Sequence, residues 1–294
     1  MPQVRGELLH GRGAVDMKGA IAAMVAAVAE VPQEAGTISF IITGDEEGPS
    51  INGTKKVLEW LESRGEKIDF CIVGEPTSMR PVVAHKGLNA YRCRVHGKAA
   101  HSSLTTQGCN AIEHAARLIC HIRDLAQMWR SEGPFDEFYD VPYTTITTNQ
   151  IAGGIAMNTI PDACEFTYEF RNLASVTPQQ VQERIGAYVQ RELLPSMQRE
   201  FAGARVEIDK LAAAPGLDAS EQAAITQLVR ALTGDESVRK VAYGTEAGLF
   251  QGIGIPTVVC GPGSIEQAHK PDEFVEVDQL AQCEKFLRQL AATL

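Results

Sequence analysis

Three acidic clusters and one late histidine are the residues best suited to chemistry. Asp16 stands in Gly11-Arg12-Gly13-Ala14-Val15-Asp16-Met17-Lys18-Gly19, and Asp45, Glu46 and Glu47 follow in Gly44-Asp45-Glu46-Glu47-Gly48. Glu75 lies in Val73-Gly74-Glu75-Pro76-Thr77, and His269 in Gln267-Ala268-His269-Lys270-Pro271-Asp272-Glu273. Carboxylates gathered in one pocket repel each other and call for compensating cations or raised pKa values. Divalent metals supply that charge most directly. Hard carboxylates joined by imidazole suit Zn²⁺, Co²⁺ or Mn²⁺. Of two adjacent glutamates, one can bind metal while the other acts as general base. Taken singly, each cluster has an ordinary reading. Asp16 would serve as a helix N-cap, Glu46 and Glu47 as a solvated turn, and Glu75 before Pro76 as plain loop. Their joint placement after successive strands is what argues for a site.

The elements that must position them follow from periodicity. Residues 17–31 are Ala-rich with an apolar helical face at Ile21, Met24, Val25 and Val28, and residues 50–64 have another. Residues 37–43 and 68–73 are continuous apolar runs and predict buried strands. This alternation predicts an α/β fold, a mostly parallel sheet with helices on both faces. In such sheets, ligands bind beyond the carboxyl ends of the strands, where the three acidic clusters fall.

The pattern changes at residue 87. Residues 88–96 and 162–171 alternate apolar and polar, as half-exposed antiparallel strands do, and 109–129 and 177–201 read as long amphipathic helices. From about 213 the first grammar returns, with helices at 219–233 and 277–292 and strands at 238–243 and 255–260. The expected organisation is a catalytic domain in two parts, 1–86 and 213–294. An inserted α+β domain at 87–212 carries an antiparallel sheet and two helices.

Among the histidines, His269 stands out because it follows the strand 255–260 and the turn Gly261-Pro262-Gly263-Ser264. His114 and His121, seven apart on one helix, suit packing. His10, His85 and His96 carry no assigned role. His101 lies at a strand end of the inserted domain, where only domain closure or a second subunit would bring it to the acidic clusters.

The formal net charge of −10 argues against nucleic acid or an anionic membrane as the main partner. Seven singly scattered cysteines, with no Cys-x-x-Cys pair, read as reduced thiols of a cytoplasmic protein. No apolar run reaches the roughly 18 residues of a membrane span. The first residues lack the apolar stretch of a signal peptide.

At these motifs the sequence resembles the di-metal deacylase and exopeptidase family. The resemblance extends over essentially the whole chain and rests on GRGAVDMKG, GDEEG, VGEPT, GKAAHSS with GCNAIE, NTIP, and GPGSIEQAHKPDE. It implies two divalent ions, Zn²⁺ or Co²⁺. Asp16 would bridge them, Glu47 and Glu75 would be terminal ligands, and His269 would be a ligand of one ion. It further implies Glu46 as general base and His101 as the group that crosses from a partner subunit to stabilise the oxyanion. Asn158 and Arg171 would meet the substrate, Arg171 through a bidentate pairing with carboxylate. A homodimer through the inserted domain goes with these roles. The expected reaction is hydrolysis of the N²-acetyl amide of acetylornithine, in arginine biosynthesis. Succinyl-diaminopimelate or a dipeptide are the rival substrates. The family also carries an earlier His-x-Asp motif, and none occurs in this sequence. The expectation is therefore an N-terminally truncated catalytic domain in which one metal lacks its usual imidazole. A catalytically impaired remnant, kept as a binding or dimerisation module, is the alternative of another class.

Overall fold

The computed structural model describes residues 2–29, 36–44 and 52–293. Contacts divide the chain into two compact units, Met1–His85 with Leu217–Leu294, and Lys86–Gly216.

The first unit is built from short ladders. Cys71–Val73 pairs in parallel with Thr257–Val259, in the register Cys71↔Thr257 to Val73↔Val259. Ala84–His85 is flanked by Leu217–Asp218 antiparallel and by Lys240–Val241 parallel. Gln3–Arg5, Leu8–His10 and Phe274–Glu276 form an antiparallel sheet. The helix Gly19–Val28 buries Ala20, Ala23 and Ala27 and packs against the helix Val277–Ala291. Its alanines suit that contact, because small side chains let two helix backbones approach. Val258, Cys260, Ile225, Val229, Cys283 and Phe286 form the core between strand and helices. Burial of the Cys260 and Cys283 thiols pushes their pKa up to about 12, so both stay protonated.

Two expectations fail here. The single, mostly parallel sheet is replaced, among the described residues, by three small ladders of mixed direction. The run 37–43 joins none of them, and Phe40 and Ile42 are 38% and 59% exposed. An apolar run records a tendency toward burial, but a strand also needs a neighbour for its N–H and C=O groups.

The second unit carries the long strands. Its sheet runs Arg205–Ala214, Gly87–His96, Ala163–Asn172, Thr145–Gly153, all antiparallel. Gly87–His96 alternates buried and half-buried at every residue. Tyr91 stacks on Tyr168 at 5.4 Å and on Phe170 at 5.9 Å. The helix Ala111–Glu132 lays Ala115, Leu118, Ile122 and Trp129 into the same core. Its start is set by Asn110, whose side chain accepts from Ile112 N and Glu113 N, a cap of about 1 kcal/mol. Thr177 and Gln180 form a capping box ahead of the helix Pro178–Tyr188.

Lys86 opens this unit with its side chain fully buried. Its Nζ donates to Tyr143 O at 2.5 Å and lies 5.8 Å from the Tyr139 ring centroid. Burial lowers its pKa to about 8, and the charge of Arg171 adds to the effect while Asp140 opposes it. The unfolded chain therefore holds more protons than the folded one between about pH 8 and the ordinary lysine value. Stability gained from this site is complete above the ordinary value and lost as pH falls through 8. Relative to Lys86→Met, the wild-type chain should gain on the order of 1 kcal/mol between pH 7 and pH 9.5, after allowance for solvent screening. Urea unfolding at both pH values checks this, and a constant difference would contradict it.

Candidate metal centre

Asp16 lies in an irregular turn, Ala14–Lys18, where it and Met17 leave the helical region, Asp16 at φ −127°, ψ 92°. Lys18, not Asp16, is the cap residue of the following helix, and it makes no side-chain cap bond. The ordinary reading of Asp16 as an N-cap therefore fails. Its carboxylate meets the imidazole of His269 instead, Oδ2 to Nε2 at 3.2 Å. The Asp16 side chain is 13% exposed and that of His269 63%. His269 reaches this position from φ +59°, in the left-handed region that non-glycine residues seldom occupy.

Three loops converge around this pair. The loop after Cys71–Val73 carries Glu75, which is half-buried, and the loop after Thr257–Val259 leads to His269. The two are stitched together: Thr77 N and Met79 N donate to Gly261 O at 3.1 and 2.8 Å, and Ser78 N donates to Gly263 O at 2.6 Å. A Cβ on Gly261 would lie 2.1 Å from Gly74 O, so only glycine permits this approach. Gly74 in turn faces Met17, whose Cε would lie 2.9 Å from a Cβ built there. The chain beside Asp16 thus touches the chain beside Glu75.

The turn before Asp16 is fixed by a residue that sequence reasoning left without a role. Glu273 is 3% exposed. Its carboxylate accepts from Gly13 N at 2.9 Å, Val15 N at 3.1 Å, Asp16 N at 3.3 Å and Arg12 Nη1 at 3.0 Å. Its partners lie some 260 positions away, so no local pattern announces it. Its presence beside His269 in the late motif is the one available signal.

Glu46 and Glu47 lie outside the described residues. His101, Asn158 and Arg171 belong to the second unit. His101 ends the strand Ala100–His101, opposite Thr159, and Asn158 O accepts from Ser102 N at 2.9 Å, so these two sit together. Ser103 N donates to His101 Nδ1 at 3.2 Å, and Ser103 Oγ lies 2.8 Å from the same nitrogen. A neutral ring accepting at Nδ1 carries its proton on Nε2. Arg171 Nε donates to Glu169 Oε1 at 2.8 Å.

His10 lies 5.4 Å from the Phe274 ring, His121 stacks on Tyr188 at 4.1 Å, and His96 faces Glu207 at 3.4 Å. His114 Nε2 meets Glu200 at 3.1 Å beside Cys109. Among the described residues, that trio alone brings three Cys, His, Asp or Glu ligand atoms within 4.8 Å of one another. Burial, aided by a hydrogen bond with Glu200, pushes the Cys109 thiol up to about 12 and keeps it protonated.

The Asp16–His269 pair fits a divalent ion. Two ligands at metal distances of about 2.0–2.2 Å, in tetrahedral geometry, stand about 3.4 Å apart, close to the 3.2 Å observed. Glu75 does not complete a three-ligand cluster with this pair: the ligand atoms of Asp16, Glu75 and His269 do not all lie within 4.8 Å of one another.

The chain belongs to peptidase family M20/M25/M40, whose model matches residues 2–293, and this membership makes it a hydrolase that acts on amide bonds. It is 38% identical over 291 residues to a succinyl-diaminopimelate desuccinylase of Nitrosococcus oceani, covering 95% of this chain and 73% of that protein. It is 32% identical over 284 residues to an acetylornithine deacetylase of Myxococcus xanthus, covering 97% and 72%. Among solved structures, a dinuclear metal-binding M20 peptidase of Bacillus subtilis matches with a TM-score of 0.67 at 17% identity, over 95% of this chain and 72% of that one. No helix among the described residues is long and apolar enough to cross a membrane.

Proposed function

We propose that this chain hydrolyses the acyl amide of a small N-acylated amino acid, with acetylornithine as the first substrate to test. The observation that carries the reading is the approach of Asp16 to His269 on converging strand-end loops. Asp16, Glu47, Glu75 and His269 would hold two divalent ions, Zn²⁺ or Co²⁺. When bound, these ions supply Lewis acidity and water acidified toward neutral pH. Glu46 takes a proton from the attacking water, whose oxygen bonds to the acyl carbon. The C–N bond then breaks, and Glu46 returns the proton to the leaving amine. His101, protonated at Nε2, donates to the carbonyl oxygen as its charge grows. Arg171, released from Glu169, would pair with the substrate carboxylate, and Asn158 would meet the substrate beside His101.

His101 would reach the site from a partner subunit in a homodimer formed through residues 87–212. That assembly is supported by the edge strand Thr145–Gly153 and by Ile151, Ile155 and Met157, which are 56%, 86% and 105% exposed. The net charge of −10 and the unpaired cysteines support a cytoplasmic enzyme with no nucleic-acid or membrane partner.

Succinyl-diaminopimelate is a second substrate reading, favoured by the 38% identity to a desuccinylase. Acetylornithine is favoured by the resemblance of the segments Gly244-Thr245-Glu246-Ala247-Gly248 and GPGSIEQAHKPDE to those of acetylornithine deacetylases. The Zn²⁺- or Co²⁺-loaded chain should be assayed on acetylornithine, succinyl-diaminopimelate and a dipeptide side by side. Acetylornithine should give the highest kcat/KM, and a higher value for either other substrate reassigns the acyl group. No turnover of any of the three, with at most one weakly held ion per chain, would favour the non-catalytic remnant.

A further inference from the structure

The Arg12–Glu273 pair touches both loops that present Asp16 and His269. Glu273 receives the N–H groups of Gly13, Val15 and Asp16, while Arg12 Nη2 donates to Lys270 O, next to His269, at 3.1 Å. The Gly11 N–H also donates to Glu273 O at 3.0 Å. All four groups facing the Glu273 carboxylate are donors. An ionised carboxylate is the side chain that offers only acceptors, about four lone-pair sites on two oxygens. A glutamine of the same shape would turn an NH₂ group against fixed N–H groups. Val15, 1% exposed, is clamped between this carboxylate and the buried Val275. The backbone entering Asp16 therefore has little freedom. His269, at φ +59°, needs comparable ties to hold a backbone conformation it would otherwise leave.

We propose that Glu273 and Arg12 are a positioning pair that sets the spacing between Asp16 and His269, so that divalent-cation affinity depends on two residues that touch no cation. The proposal rests on the reading of Asp16 and His269 as ligands. Supporting groups of this kind typically change metal affinity 10–100-fold.

The test uses the whole chain as Glu273→Gln, Arg12→Met and Arg12→Lys. Zn²⁺ affinity is read by competition with a chromophoric chelator, and amide exchange is read on the metal-free protein. Glu273→Gln should weaken Zn²⁺ binding about 10–100-fold. It should also speed exchange at Gly13, Val15 and Asp16 about tenfold or more, while other protected amides stay within twofold. Arg12→Met should weaken Zn²⁺ binding several-fold, and Arg12→Lys should recover part of that loss. Zn²⁺ affinity and exchange within twofold of wild type in both Glu273→Gln and Arg12→Met would overturn the proposal. If Glu273→Gln fails to fold, Arg12→Met decides alone, because the Arg12 side chain is 63% exposed and its loss leaves the core intact. A wild-type chain that binds no Zn²⁺ defeats the ligand reading. The exchange of the three amides then still judges the pair.

Discussion

Replacing Asp16 with alanine is expected to remove tightly held divalent metal and to cut amide hydrolysis by about 10³-fold or more, about 4 kcal/mol of barrier. The Asp16 carboxylate lies 3.2 Å from the His269 imidazole, and its side chain is only 13% exposed. In the proposed centre it contacts both ions, so its loss weakens both sites at once. The folded state should survive, because removing one charge from an acidic cluster relieves repulsion in the metal-free chain. Metal analysis after dialysis, unfolding midpoints without metal, and kcat/KM measured together separate these effects. Asp16→Asn, which keeps the shape and loses the charge, should behave nearly as badly. A metal-replete, active Asp16→Ala chain would end the case for this centre.

Glu46→Gln should give the opposite pairing of results. Metal content should stay at the wild-type value while kcat falls about 10²–10⁴-fold, the range for a positioned general base. Glutamine keeps the volume of glutamate and cannot accept the proton of the attacking water. KM should change little, because the loss falls on an interaction made in the transition state. Retention of more than about a tenth of kcat would assign the proton transfer elsewhere. Loss of metal from Glu46→Gln would instead make Glu46 a ligand. The two variants together distinguish a group that holds the ions from one that works beside them.

The parts of the fold that were legible share one property: they are long enough to show a period. Gly87–His96 and Ala163–Asn172 alternate over ten residues each, and the helix Ala111–Glu132 repeats its apolar face over 22. The ladders Ala84–His85, Leu217–Asp218 and Lys240–Val241 have two residues each, too few for any pattern. The run 37–43 misled because its composition resembles a buried strand, while pairing depends on a neighbour that composition does not encode. The placement of Asp16 and His269 was legible because both sit in Gly-rich loops beside recognisable elements. Glu273 was not, because what identifies it is a set of backbone N–H groups far away in sequence. Its neighbours Lys270, Pro271 and Asp272 give no hint that one carboxylate among them is buried.

The start and end of the second unit also have a genetic meaning. His85 pairs with Leu217 across one ladder, and a Cβ on Gly87 would lie 3.3 Å from Gly216 N. The chain leaves and re-enters the first unit at adjacent points. A coding segment with that property can be gained, lost or exchanged between relatives in one recombination event, because its two ends need only a single gap in the host. The groups proposed to meet the substrate, Asn158 and Arg171, travel on that segment with His101, proposed to steady the oxyanion, while Asp16, Glu75 and His269 stay behind. On these proposed roles, an exchange of the segment would change substrate contacts while leaving the proposed metal ligands in place.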